Sequence, residues 1–397
     1  MHNNKLNILC LDIEGGHGGS SRSLFESVNQ LTKLNEIKIT VWCKSSGEIH
    51  NKYHQIGVDT KIVPNMPKVR AVPRFSRNVL LLLVFVKDWY KSKKFRNELL
   101  NNAKKFDLIH CNHEGLYWLS FWIKKHIKVP LTLHKRTNPW PSIFSRLQTK
   151  IIDYSVDNVV FITENERENF IRLGGSNRRS DVIHNIVKNY KNTIKPLDCL
   201  SQERRFKVCV LANYSYMRGI DRLICIAKYF REIGHHNTVF VVAGDISLTC
   251  SLPGELGQVA KRGGSLSDYA EECGVKDMFI FLGHTSVPER VLSGCHALIS
   301  PSRENNPWGR DVLEALSFGL PVIATGTYNK FVETGVTGFL FNEFNAQIFA
   351  RCIIKMSQDR SLVSRIGKKG KSRVQKLCNA SDCAQDLLKF WRNAIKQ

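Results

Sequence analysis

The apolar positions of this chain fall into short runs separated by longer amphipathic stretches. Residues 6–11, 37–42, 107–110, 129–134, 159–163 and 181–185 in the first half are β-branched or Leu-rich segments of strand length, as are 207–212, 239–243, 279–283, 297–300 and 322–324 in the second. Such runs suit strands covered on both faces, and the helical patterns between them suit crossover helices. The expectation is an α/β protein with parallel sheets. Four runs of the first half end in or near a polar residue: His110, His134, Thr163 and Asn185. In open parallel sheets, ligands bind at these carboxyl ends.

Two loops add chemistry to that frame. After the first strand comes Gly15-Gly16-His17-Gly18-Gly19-Ser20-Ser21-Arg22, followed by a helix expected over residues 23–33. Its glycines allow a ligand close to the backbone, but Ser21 stands where a dinucleotide fingerprint needs a third glycine. The second loop, Pro301-Ser302-Arg303-Glu304-Asn305-Asn306-Pro307-Trp308-Gly309, leads into a helix carrying Glu314, with Gly319 as helix stop before the strand 322–324. Free N–H groups at such a helix start attract an anion. A carboxylate just inside the helix can accept hydrogen bonds from a ribose diol beside the phosphates.

These residues and their order resemble the retaining glycosyltransferases of family four (group 1), whose GT-B fold has two Rossmann-like doubly wound domains facing a cleft. The resemblance implies that Glu314 binds the ribose. Asn306 stands where the family has a glutamate touching the donor sugar, and Glu304 lies two positions earlier. Pro307, Trp308 and Gly309 complete that donor loop, while Gly18, Gly19 and Arg22 match the first-domain loop. In the loop after residue 212, Arg218 takes the place of a family lysine that clamps the diphosphate, and Asn213 that of its partner arginine. His134 corresponds to the histidine that approaches the sugar ring.

His134, Arg218 and Glu314 are thus the expected catalytic set. The resemblance further implies retention of configuration, a nucleoside diphosphate sugar as co-substrate, no cofactor and no obligatory metal; no Asp-x-Asp triplet occurs. The expected activity is transfer to a glycan or lipid-linked glycan acceptor in cell-surface polysaccharide synthesis. The alternatives are a nucleotide-sugar epimerase of the same fold and a basic nucleic-acid-binding protein.

Length and charge refine the picture. A chain of 397 residues, 43% of them hydrophobic, can bury two ordinary cores. The expected division is an acceptor-side domain at 1–187, a polar linker at 188–205, a nucleotide-sugar domain at 206–379, and an amphipathic helix at 380–397 that crosses back to the first domain. The net charge of +23 implies polyanionic partners. Basic residues cluster within 61–105, among them Arg70, Arg74, Arg77, Lys87, Lys91, Lys93 and Lys94, around the apolar run 79–86 and Trp89-Tyr90. That arrangement suits an anionic membrane surface, and equally a buried helix with a basic outer face. The nucleic-acid reading lacks a basic sheet interleaved with aromatics, and no zinc spacing appears. The run 79–86 is far short of the ~20 residues that span a bilayer. With 12 scattered cysteines and no apolar leader, the expected location is the cytoplasm, with peripheral association at the inner face of the cell membrane.

Overall fold

The structure, a computed structural model, describes residues 5–16, 18–69, 79–176, 179–190 and 194–396. The chain forms two compact units: unit 1 is Met1–Ile186 with Cys378–Gln397, and unit 2 is Val187–Leu377.

Unit 1 contains β1 (Leu6–Asp12), α1 (Gly19–Leu31), β2 (Ile37–Cys43), α2 (Glu48–Gln55), β3 (Asp59–Ile62), α3 (Val79–Lys91), α4 (Lys93–Ala103), β4 (Leu108–Cys111), α5 (Tyr117–His126), β5 (Leu131–Lys135), α6 (Ile143–Ser155), β6 (Asn158–Phe161), α7 (Glu164–Arg172) and β7 (Ser180–Val182). Its seven strands pair in the order β3-β2-β1-β4-β5-β6-β7, all parallel. Alternation along β1 divides the core, because successive side chains point to opposite faces. Ile8 and Cys10 join one apolar cluster, Leu9 and Leu11 the other.

Unit 2 contains α8 (Asp198–Gln202), β8 (Phe206–Leu211), α9 (Arg222–Glu232), β9 (Thr238–Ala243), α10 (Gly254–Lys261), α11 (Leu266–Glu272), β10 (Phe279–Gly283), α12 (Pro288–Gly294), β11 (Ala297–Ser300), α13 (Arg310–Ser317), β12 (Val322–Thr325), β13 (Gly338–Phe341), α14 (Ala346–Gln358) and α15 (Arg360–Leu377). Its six strands run parallel in the order β10-β9-β8-β11-β12-β13. The last helix, α16 (Ala380–Ile395), returns to unit 1, where it packs on α1 and buries Leu387, Phe390 and Trp391. In each sheet the winding reverses once, between β1 and β4 and between β8 and β11. Such switch points are where ligands bind in open α/β sheets.

Several details depart from the sequence reading. Helix α1 starts at Gly19 rather than residue 23, with Gly18 in extended conformation as its N-cap. Two strands, β3 and β13, carried no legible run: β3 is largely exposed at the sheet edge, and β13 opens on a glycine. The expected linker 188–205 holds α8, whose Leu200 is buried. Arg290 of α12 donates to the carbonyl oxygens of Lys195 and Pro196, at 3.2 and 3.0 Å, so this stretch is docked on unit 2. Arg70, Arg74 and Arg77 of the basic cluster, and His17 of the glycine loop, lie outside the described residues.

Candidate functional site

The switch point of unit 2 places the loop after β8 beside the loop after β11. Residues 216–218 form one 3-10 turn that ends at Gly219. Gly219 has φ +70°, and a Cβ there would lie 2.2 Å from the carbonyl oxygen of Pro301, so both its conformation and its packing exclude a side chain. The two loops are laced together. Ser302 Oγ and Arg303 N both donate to the Met217 carbonyl, at 3.0 and 2.7 Å. Arg222 Nη1 donates to the carbonyls of Pro301 and Ser302, at 2.9 and 3.0 Å. The Arg303 guanidinium grips both oxygens of Asp221, at 2.9 and 2.6 Å, and lies 3.8 Å from the centre of the Tyr216 ring. A fork on a carboxylate fixes orientation as well as distance. Thr327 and Asn305 exchange hydrogen bonds, which ties in the loop after β12 as well.

On this frame Arg218, Gly309 and Asp311 meet. Arg218 Nη1 is 4.0 Å from Asp311 Oδ2, and a Cβ on Gly309 would touch both side chains. Burial pushes the Asp311 carboxyl up, while Arg218 and the backbone N–H groups at the start of α13 pull it down. The helix start expected to receive a ligand anion therefore already holds one of the chain's own acids. In sequence Asp311 carries no distinct signal, because an acid in the first turn is ordinary helix capping. Glu314, one turn further on, is buried and paired with Arg310 Nη2 at 3.0 Å.

The remaining predicted residues of unit 2 have other engagements. The Asn213 side-chain oxygen accepts from Asp245 N at 2.9 Å, bracing the loops after β8 and β9. Trp308 is buried edge-on to Tyr328 at 5.0 Å, and Pro307 lies against Gly326. Asn306 Nδ2 donates to Glu304 Oε2 at 3.2 Å, and Asn306 N to the Glu304 carbonyl at 3.0 Å. Asparagine and acid, which the sequence set as alternatives, form one unit. Asn306 Oδ1 is buried with no hydrogen-bond partner among the described residues.

In unit 1 the strand ends converge on Arg136, just past β5. Its Nε and Nη2 donate to the backbone and side-chain oxygens of Asn112, at 2.8 and 2.6 Å, and Nη1 donates to Asn185 Oδ1 at 3.0 Å. Asn112 Nδ2 in turn donates to Asp12 Oδ1 at 3.2 Å and to the Ser20 carbonyl in the first turn of α1 at 3.1 Å. Glu114 accepts from Arg136 N at 2.9 Å and from the Thr137 hydroxyl. Burial raises its carboxyl, but His113, Lys135 and these hydrogen bonds outweigh burial and hold it at about 2. Gly18 and Gly19 open α1 as its N-cap and first residue, and Arg22 N donates to the Gly18 carbonyl at 3.0 Å.

His134 lies in β5, one residue before its end, and is buried. Burial, then the Arg136 charge, drive its pKa well below the usual histidine value, so the ring is neutral. Arg136 Nη2 sits 3.1 Å from His134 Nδ1 and can only donate, which leaves the ring proton on Nε2. That Nε2 is buried without a partner among the described residues. Neighbouring His110 packs 5.3 Å from Trp391, and burial lowers its pKa to about 3. The sequence marked His134 but not Arg136, Asn112 or Asp12. Each follows or ends a strand, which was the available signal.

Residues 17–188 match the family model Glycosyltransferase Family 4, and residues 198–373 match Glycosyl transferases group 1. Between them the two matches take in most of the chain, which belongs to the group 1 glycosyltransferases and has the two-domain GT-B fold. No curated protein sequence matches it. Among solved structures, HepE of Anabaena in complex with UDP and glucose is similar with a TM-score of 0.75 at 20% identity, over 97% of this chain and 98% of that one. The same protein is known in complex with UDP-glucose. Sucrose-phosphate synthase from Thermosynechococcus elongatus has a TM-score of 0.72 at 16% identity, over 98% and 99% of the two chains. A TarM variant of S. aureus, in complex with Fondaparinux, alpha-GlcNAc-glycerol and UDP, has 0.69 at 13%, over 99% and 100%. Likeness at these identities is likeness of fold.

Proposed function

We propose that this glycosyltransferase moves a sugar from a nucleoside diphosphate sugar to a glycan or lipid-linked glycan acceptor, with retention and without a metal, in the synthesis of a cell-surface polysaccharide. The observation that carries the reading is the meeting of Arg218, Gly309 and Asp311, with Glu314 one turn on, at the switch point of the unit 2 sheet. The leaving diphosphate gains negative charge in the transition state, and a fixed guanidinium stabilises it without reorganising. Arg218 takes that role, exchanging Asp311 for phosphate oxygens. Glu314 receives the ribose hydroxyls. Glu304, held by Asn306, presents a carboxylate to the sugar. His134, neutral and protonated on Nε2, is a hydrogen-bond donor to the sugar and not a base. Gly18, Gly19 and Arg22 act as donor-side backbone and charge in unit 1.

A panel of nucleotide sugars, beginning with UDP-glucose because HepE is known with it, tests the reading by thermal stabilisation. A ligand at ~100 times its dissociation constant adds about 2.7 kcal/mol. Glu314→Ala is expected to weaken binding of the stabilising donor roughly 10–150-fold, the equivalent of ~1.5–3 kcal/mol for a hydrogen bond to a charged group. Glu314→Gln, which keeps the shape, controls for loss of the Arg310 pair. Retention is read from the anomeric configuration of the product, and metal independence from turnover in chelator. A folded Glu314→Ala protein with unchanged affinity would refute the ribose assignment.

A further inference from the structure

Unit 1 carries an apolar face that its core does not use. Helix α6 starts at a Ser142 capping box and turns Gln148, Thr149 and Ile152 inward. Its outward stripe, at helical spacing, is Ile143, Leu147 and Tyr154, with Ile143 81% and Tyr154 64% exposed. Trp140, just before the helix, is 63% exposed. Helix α3 adds Leu83, Val86 and Tyr90, all exposed. An aromatic row joins the two helices across α5: Phe85 to Trp118 at 6.2 Å, Trp118 to Phe121 at 5.8 Å, and Phe121 to Tyr154 at 6.0 Å. Continuous exposed apolar surface of this kind marks an interaction site.

The charges around it are predominantly positive. Lys87, Lys91 and Lys94 of α3 and α4, Lys125 of α5, and Arg146 and Lys150 of α6 are all exposed, and Lys125 Nζ lies 4.3 Å from the centre of the Phe121 ring. Most nearby acids are engaged elsewhere: Glu98 by Lys61, Asp157 by Lys124 and Leu131 N, and Asp153 by Ser176. Asp88, the one acid of α3, is exposed. Among the described residues no helix is long and apolar enough to cross a membrane.

We propose that the α3–α5–α6 face docks on an anionic lipid bilayer, with the Ile143, Leu147 and Trp140 side chains entering the interface and the lysines meeting the headgroups. Large apolar side chains rimmed by Lys and Arg are what interfacial binding requires. A second copy of the chain is disfavoured by symmetry, because a two-fold contact sets a patch against itself and would bring these cations together. The inference is independent of the donor-site reading.

The test is co-sedimentation of the full chain with vesicles of phosphatidylglycerol and phosphatidylcholine, against phosphatidylcholine alone. The wild type is expected on the anionic vesicles and not on the neutral ones. One variant removes the apolar stripe (Ile143→Asp, Leu147→Asp) and another removes charge (Lys87→Gln, Lys91→Gln, Lys94→Gln, Lys125→Gln); thermal melting checks that each is folded. Both are expected to lose roughly tenfold or more in partitioning at low salt. The charge variant's deficit should shrink as salt rises, and the apolar variant's should persist. Absence of wild-type binding to anionic vesicles, or variants that bind like wild type, would overturn the proposal. So would concentration-dependent dimerisation that Ile143→Asp abolishes in a protein that ignores vesicles.

Discussion

Arg218 has two tasks in this reading, and they can be separated. It is partly exposed and faces a buried carboxylate, so removing it leaves Asp311 without its nearest cation as well as leaving the diphosphate unheld. Arg218→Lys is expected to lose measurable turnover, because an ammonium cannot fork two oxygens, and Arg218→Ala to lose nearly all of it. Adding Asp311→Asn to Arg218→Ala should recover melting temperature without recovering turnover. Recovery of both would mean that Arg218 only neutralises Asp311. Asn213→Arg cannot simply restore a second cation, since it gives up the bond to Asp245 N. The buried histidines set a different expectation. In the folded chain His110 stays neutral down to about 3, and His134 is likewise held neutral, whereas both protonate near ~6.5 when unfolded. Below ~6.5 the unfolded state therefore binds more protons, and stability is lost as the pH is lowered, by up to about 1.4 kcal/mol per histidine per pH unit. It is at its full value above that range. Denaturant titrations between pH 7 and 5 should show this slope, and His110→Asn should flatten it; an equal slope in the variant would remove the histidine from the account.

Elements hold the site through their connections rather than through their length. Gly219 ends a 3-10 turn and lets the Pro301 carbonyl approach, so Gly219→Ala must strain the backbone and push the two loops apart. A left-handed non-glycine residue costs ~1–2 kcal/mol, and the displaced loop adds to it. Calorimetric titration with the donor is expected to show weaker binding in Gly219→Ala, together with a lower melting temperature; unchanged affinity would show that the lacing of these loops does not matter to the site. The strands around this point were legible because their apolar runs are continuous. β10 and β11 begin and end where the pattern put them. β3 was not, because Asp59–Ile62 is an edge strand with one large apolar residue, and β13 was not because it opens on Gly338. Helix α1 began a turn early since Gly19, Ser20 and Ser21 read as loop residues. In the candidate site, the loop positions stood out at the strand ends, and Glu314 by its place just inside a helix together with the family resemblance. Asp311, the Arg303 grip on Asp221 and the Arg136 hub could not, because each joins segments distant in sequence and is defined only once the sheet orders them.

The whole chain binds its far end into its first unit. Leu387, Leu388, Phe390 and Trp391 of α16 are buried there, each burial contributing ~1.5–3 kcal/mol, and together they rival the ~5–15 kcal/mol that stabilises an ordinary domain. A chain ending at Leu377 should therefore keep a protease-resistant unit 2 while unit 1 is cut, and mass spectrometry of the fragments reads the difference. Survival of unit 1 would show that its sheet does not need the helix. The same path has a consequence for synthesis. A ribosome adding ~5–20 residues per second takes roughly 10–40 s to pass from the end of β7 to the start of α16, because all of unit 2 lies between them. The unit begun first is thus the one completed last. Through that interval the side of α1 on which α16 packs waits uncovered, and a nascent chain stalled within unit 2 would present that face to chaperones.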